Sequence, residues 1–338
     1  MKRSAPILWF TALLSLVTAG VSGSGDAADT LCRCLSDPLR RLLSVVSSLV
    51  RFPVFEIAVL VLPALLFIRL SRDFPRRAPT LAGVLFSLFL LLSVLPARRG
   101  APNVEPVAGD DLFAFAAWLS DHANREEARL PVSSGEGTPP ARESTADLSA
   151  AVTAALRESG LCPVPPVRVK ATLFPGVLRR LGLLGYHVSW TGEAIYRPDA
   201  PAYTLPFTAA HEAAHQAGIL SEGEASLAAY VALIASGDPA LRYAGWTGAL
   251  DACLPLLDEG ARGEIVASLS PRVREDLKLF DALLPTCGSA GAYDGENAAA
   301  IRLRGGGKDC SYDVFPHLAC RRYLALSGRD QADPPAIY

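Results

Sequence analysis

The chain predicts a mainly α, α+β protein in which N-terminal transmembrane helices precede a helical domain with a small β element. Three observations carry that expectation. Apolar residues make up 50% of the 338 residues and charged ones 20%, an apolar content high for a purely soluble domain. The excess is concentrated in three runs near the start, whereas later apolar residues recur at helical spacing. Among those later stretches, two short segments alternate as strands do.

Lys2 and Arg3 precede the first apolar run, about Ala5 to Val21; the second spans Val54 to Leu70 and the third Leu81 to Pro96. Each is near the lower length limit for a spanning helix, so about three spans are expected over residues 1–100. The first run also fits a cleaved signal peptide, having a basic start and the small residues Ala19 to Gly23. With the N-terminus inside, basic residues near the segment ends count six on either side, and the compact turn Arg69 to Arg77 breaks the tie. Everything after Pro96 is then outside the cytoplasm. The expected location is the cell membrane, multi-pass, with residues 101–338 forming one extracytoplasmic domain large enough for its own core. A lipid bilayer is therefore an expected partner. A net charge of −2 and the lack of a basic aromatic cluster speak against nucleic acid.

Within that domain Leu112, Phe113, Phe115, Ala116 and Leu119 have helical spacing, predicting a helix over Asp110 to Ala128. The polar, proline-bearing stretch Pro131 to Arg142 reads as a linker or surface loop, and a second helix follows over Ala146 to Glu158. Val167 to Ala171 and Gly185 to Trp190 are the strand candidates. Tyr186 to Trp190 suits an edge that binds extended peptide, though a plain core strand fits equally well.

His211-Glu212-Ala213-Ala214-His215 is the most informative stretch. Two histidines four apart on a helix share one face and can hold a single metal ion. Glu212 follows the first of them, where its carboxylate can take the proton of a water activated by the metal. Gly218 is a natural helix stop and Gly223 a second break, so the next helix folds back beside the first. Glu222 or Glu224 then completes a His, His, Glu set, leaving a fourth position open, as catalytic zinc sites do. Glu224 is the preferred ligand because it opens the helix and precedes small residues; Glu222 is read as orienting a histidine. One Zn2+ per chain is the expected cofactor.

Around this motif, Trp190-Thr191-Gly192-Glu193-Ala194, Leu205-Pro206-Phe207-Thr208, Glu222-Gly223-Glu224-Ala225 and Ser236-Gly237-Asp238-Pro239-Ala240-Leu241-Arg242-Tyr243 resemble the DUF3810 family of bacterial membrane-anchored zinc metallopeptidases. A weaker likeness reaches Cys310-Ser311-Tyr312-Asp313-Val314. The resemblance implies a zincin-like, gluzincin-type site with His211, His215 and Glu224 as ligands and Glu212 as acid/base. Ser226 departs from the pattern, where the family usually has Asn, and residues 297–304 keep it poorly. An oxyanion also needs a donor, for which Tyr312, His317 and His187 are available. Tyr312 leads because it lies in the family-like stretch.

The expected activity is hydrolysis of a peptide or protein substrate by a membrane-anchored zinc peptidase. The alternative is a membrane sensor or assembly factor that keeps the metal site and cleaves little. Seven cysteines in an external protein suggest disulfides. Five of them, Cys162, Cys253, Cys287, Cys310 and Cys320, fall in the main domain, an odd number that leaves one over.

Overall fold

A computed structural model describes residues 25–69, 74–95, 104–130, 145–158, 168–219, 221–283 and 314–328. Helices α1 (Gly25–Leu31) and α2 (Asp37–Ser48) are joined by a wider π turn at Cys32–Ser36, and α2 begins with a proline in its first turn, where the missing N–H costs nothing. α3 (Val54–Arg69) and α4 (Phe74–Phe89) follow, the latter prolonged by a π turn at Leu90–Val94. Then come α5 (Gly109–Glu127), α6 (Thr145–Glu158), β1 (Val169–Ala171), α7 (Pro175–Arg180), β2 (Gly185–Val188) and β3 (Glu193–Tyr196). The chain continues as α8 (Leu205–Ala217), α9 (Glu222–Ala235), α10 (Pro239–Cys253), α11 (Glu259–Ser268), α12 (Pro271–Leu283) and α13 (Val314–Leu326). The fold is mainly helical with one small sheet, as the patterning predicts, and the expected helices and strands recur within a residue or two of their limits.

The membrane segments differ from expectation. The first apolar run lies outside the described residues. The second is a helix of 16 residues, about 24 Å long against a hydrocarbon core of about 30 Å, and the third begins inside α4 and continues through its π turn to Val94. Among the described residues no helix is long and apolar enough to cross a membrane. Two sequence features explain the shortfall: α4 takes Arg76 and Arg77 into its first turns, and α3 carries Glu56 near its start. Glu56 is buried and accepts hydrogen bonds from the Thr172 hydroxyl at 2.5 Å, the Leu173 N–H at 2.7 Å and the Tyr186 hydroxyl at 2.6 Å. Those three donors come from β2 and from the residues just after β1, so the start of α3 is tied to the sheet.

Strand order is β1-β3-β2, with β1 parallel to β3 (Val169 opposite Ala194) and β2 antiparallel to it (Tyr186 opposite Ile195). The β2 strand is therefore an edge, as expected of Tyr186 to Trp190, though it ends at Val188 because the chain turns through Gly192 at positive φ. Two apolar layers hold the helices. One is large-residue packing among α5, α10 and α13, where Trp118 meets Trp246 edge-on with ring centroids 4.9 Å apart. The other lies between the sheet, α6, α8 and α9, and is built largely from Ala209, Ala210, Ala213, Ala229 and Ala232. Such small side chains let α8 and α9 approach closely, which is what brings their polar groups together.

Candidate metal centre

α8 starts with Pro206 in its first turn and ends at Gly218, whose φ of 118° is one that residues with a Cβ rarely adopt. The Gly218 N–H donates to His215 O and the Ile219 N–H to Ala214 O, closing the helix and reversing the chain. Ser221 then caps α9, its hydroxyl accepting from the Glu224 N–H at 3.5 Å. This reversal sets the first turn of α9 over the histidine face of α8.

Three donor atoms converge there. His211 Nε2 and His215 Nε2 are 3.0 Å apart, and Glu222 Oε2 lies 3.1 Å from the first and 3.2 Å from the second. Among the described residues this is the set of histidine, cysteine and acidic groups close enough to hold a metal ion. The carboxylate that meets the imidazoles is thus Glu222 and not the expected Glu224. Glu224 lies two residues further along α9, about 200° around its axis. There burial pushes its carboxyl up, with the Ser221 hydrogen bond opposing.

The remaining ring nitrogens are engaged behind the centre. His215 Nδ1 donates to Ile219 O at 2.6 Å, which leaves Nε2 with its lone pair toward His211 and Glu222. His211 Nδ1 hydrogen-bonds with Ser226 Oγ at 3.1 Å. Ser226 is therefore the residue that engages the first histidine from behind. Burial pulls the His211 imidazole down, favouring the neutral form that ligates metals. For His215 burial also pulls down, but the Glu222 charge and hydrogen bond outweigh it and raise the pKa. Glu222 mirrors this: burial pushes up, and the two histidines hold it well below the usual carboxylate range.

Glu212 stands apart from that cluster of bonds. It is 6% exposed, and its Oε2 has no hydrogen-bond partner. Burial pushes its carboxyl up to about 8, against the pull of His215 and with the help of the Glu222 charge. Gly185 of β2 lies so close that a Cβ there would sit 2.9 Å from Glu212 Cγ and 2.8 Å from Ile195 O. Only glycine fits at that point between edge strand and metal helix. A cavity of about 360 Å³ opens on His211 and Glu212.

Of the other candidates, Tyr312 lies outside the described residues. His317 Nδ1, on α13, accepts from the Val107 N–H at 3.2 Å and belongs to that packing. His187, on β2, has its ring 6.1 Å from that of His215, so of the described donors it is the one beside the centre. Glu193 is fully buried on β3, where it pairs with Lys170 Nζ at 2.5 Å and caps α3 through the N–H groups of Val54 and Phe55. Cys34, Cys253 and Cys320 are free thiols and Cys32 is buried; Cys162, Cys287 and Cys310 lie outside the described residues.

Sequence reading missed Arg40, which counts there only as a flanking charge. It is 3% exposed on α2, and its guanidinium donates to His215 O at 2.7 Å and Gly218 O at 3.5 Å, covering the electronegative end of α8. Gln216 Nε2 adds a bond to Gly192 O at 2.6 Å. No local pattern marks either contact.

Two histidines from one helix and a glutamate from the next, beside a buried, unpartnered carboxylate, define a candidate His, His, Glu metal centre. The chain belongs to the DUF3810 family, described as a protein of unknown function, whose model matches residues 33–284. No curated protein and no solved structure matches the chain. The matched stretch runs from the turn before α2 to the end of α12 and contains all four residues of the centre. Its description assigns no activity, so the chemistry rests on the side chains.

Proposed function

We propose that the protein is a zinc-dependent peptide hydrolase. The observation that carries this is the triangle of His211 Nε2, His215 Nε2 and Glu222 Oε2 with Glu212 buried alongside. Ligands about 2.0–2.1 Å from a tetrahedral zinc are about 3.3 Å apart, close to the observed edges of 3.0, 3.1 and 3.2 Å. Three protein donors leave the fourth position for chemistry rather than structure. The orphaned Glu212 Oε2 fits the same reading, since a buried carboxylate without donors is costly unless something else uses it.

Zinc held there supplies a Lewis acid that polarises a peptide carbonyl and lowers the pKa of water toward neutrality. Glu212 takes the proton from the attacking water at its carboxylate and returns it to the departing amine. Its dry surroundings raise its basicity, which favours taking the proton in the first step, and return of that proton is driven by the stronger basicity of the departing amine. As a terminal strand of the sheet, β2 offers backbone groups to an extended peptide, and His187 stands on that strand as a donor for the developing oxyanion. Membrane attachment, with the residues after 96 outside the cytoplasm, belongs to the same proposal and is supported by the apolar runs and the Arg69 to Arg77 turn.

Zinc content and activity of the purified full chain test it. One zinc per chain is expected, and the His211→Ala/His215→Ala double variant should lose it; stoichiometric zinc in that variant refutes the site. Glu222→Gln should lower zinc affinity by more than about 100-fold, beyond what is expected for a residue that only orients a ligand, while Glu224→Gln stays within about threefold. Equal losses would remove the assignment of Glu222. A cysteine introduced at Ser134 should react with an impermeant reagent on intact cells and one at Pro75 should not.

A further inference from the structure

We propose that the cavity beside Glu212 is a specificity pocket for one bulky apolar side chain, aliphatic or aromatic, next to the bond to be cut; this rests on the peptide-hydrolase reading. The cavity is about 360 Å³ and is lined by His211 and Glu212 together with residues of α8, α10, α13 and the approach to β2. It is large enough for any apolar side chain and falls within the size range of ligand pockets.

Its room comes from α10. Ala244, Gly248 and Ala252 follow at steps of four along one helix face and line the cavity, as do Phe207 of α8 and Phe315 of α13. A Cβ on Gly248 would lie 2.5 Å from the Phe207 ring, so glycine there lets the aromatic wall stand where it does. Three of the hydroxyls at the same walls are turned to backbone, and that of Ser226 meets His211 Nδ1. Thr247 donates to Tyr243 O at 2.7 Å, Thr204 to Pro201 O at 2.8 Å and Tyr203 to Asp276 O at 2.5 Å. What remains facing the space is mostly hydrocarbon, and filling it with an apolar side chain removes that surface from water on both partners.

Charge narrows the class further. The lining residues include the carboxyl groups of Glu212 and Asp251 and no lysine or arginine, so an acidic side chain would lose its water there without gaining a cationic partner. The unpartnered Glu212 Oε2 also links the pocket to the reacting centre. A side chain seated there sets its own peptide bond beside the general base, so that filling the pocket positions the bond as well as selecting the residue.

The test uses the zinc-loaded full chain and peptides that differ only in Ala, Leu, Phe or Glu at either position flanking the cleaved bond. For one position kcat/KM with Leu or Phe should exceed that with Ala by at least about tenfold, with Glu lowest. Ala252→Phe, with the milder Ala252→Leu as a second variant, should shrink the Phe-to-Ala ratio to below about threefold while one zinc per chain is kept. Equal rates for Ala, Leu and Phe, or a ratio untouched in both variants, overturn the pocket. A second readout needs no turnover: N-acetyl-phenylalanine amide and N-acetyl-alanine amide are titrated into the metal-free chain and followed by ligand NMR line broadening. Binding of the first alone, lost in Ala252→Phe, supports the pocket even if no peptide is cut, in which case the hydrolase reading fails alone. Unselective cleavage without amide binding removes the pocket and leaves the hydrolase.

Discussion

Glu193 on β3 and Glu212 on α8 are both buried carboxylates on elements in contact, yet their surroundings are opposite. Glu193 accepts from Lys170 Nζ at 2.5 Å, from the Thr191 hydroxyl at 2.7 Å and from the N–H groups of Val54 and Phe55 at 2.7 and 2.8 Å. Glu212 has an oxygen with no donor at all, next to a cavity and a pair of imidazoles. A carboxylate saturated with donors ties elements together, here the sheet to the start of α3. One starved of donors is a cost to the fold and keeps a lone pair for a proton. On the proposed function, stability and chemistry are divided between two residues of the same type.

That division can be broken in either direction. The largest effect is expected for Glu212→Gln, which keeps size and all three ligands: peptide hydrolysis should fall by about 10² to 10⁴-fold with zinc retained and stability within about 1 kcal/mol. Undiminished hydrolysis would remove Glu212 as the base. Glu193→Gln should do the reverse, costing about 3–5 kcal/mol in denaturant unfolding because the Lys170 ammonium is left buried without its countercharge. A cost below about 1 kcal/mol would show that the tie is weak.

Asp276 sharpens the comparison, since it is fully buried and half satisfied. Its Oδ2 accepts from the Tyr243 hydroxyl at 2.6 Å, while its Oδ1 has no partner. Burial pushes its carboxyl up to about 6, against the Tyr243 hydrogen bond and the Arg272 charge. The folded protein thus binds this proton more tightly than the unfolded chain, whose ordinary value is about 4. Its contribution to stability is complete below about pH 4 and is lost as pH rises through about 6, amounting to at most about 3 kcal/mol. Unfolding free energies of wild type and Asp276→Asn across pH 4 to 7 should show the decline in the first and a flatter curve in the second; parallel curves would refute it.

The smallest effect concerns Arg40, which resembles Glu193 in tying the N-terminal helices to the rest, though it acts at α8, the helix that carries both histidines. Arg40→Met should cost about 1–3 kcal/mol by leaving two carbonyls without their donor. Zinc affinity should fall by about tenfold, since the Ile219 carbonyl that orients His215 lies in the same helix end. Loss of stability with zinc affinity unchanged would confine Arg40 to a packing role.

His211, Glu212 and His215 were legible because their juxtaposition needs only helical periodicity, and α5, α6 and β2 were legible for the same local reason. The choice between Glu222 and Glu224 was not. Both lie in the first turn of α9, and which one faces α8 depends on how the chain reverses between Gly218 and Ser221. Nothing local marked Glu193 as a tie between elements, because its partners are 139 and 138 residues away for the α3 cap and 23 for Lys170. The apolar runs were equally plain, but hydropathy does not show that Glu56 of α3 would be claimed by donors on the sheet.

The sequence by itself determined the mainly helical class, the histidine pair with its neighbouring glutamate, and the glycine stop that turns the chain back, since each depends on residues within a few positions of one another. Only the tertiary structure decided that Glu222 completes the triangle, that Arg40 covers the end of α8 and that small residues on α10 leave a cavity beside Glu212. Those outcomes depend on the phase and distance at which separate helices pack, which are set by all the side chains between them and by no single motif.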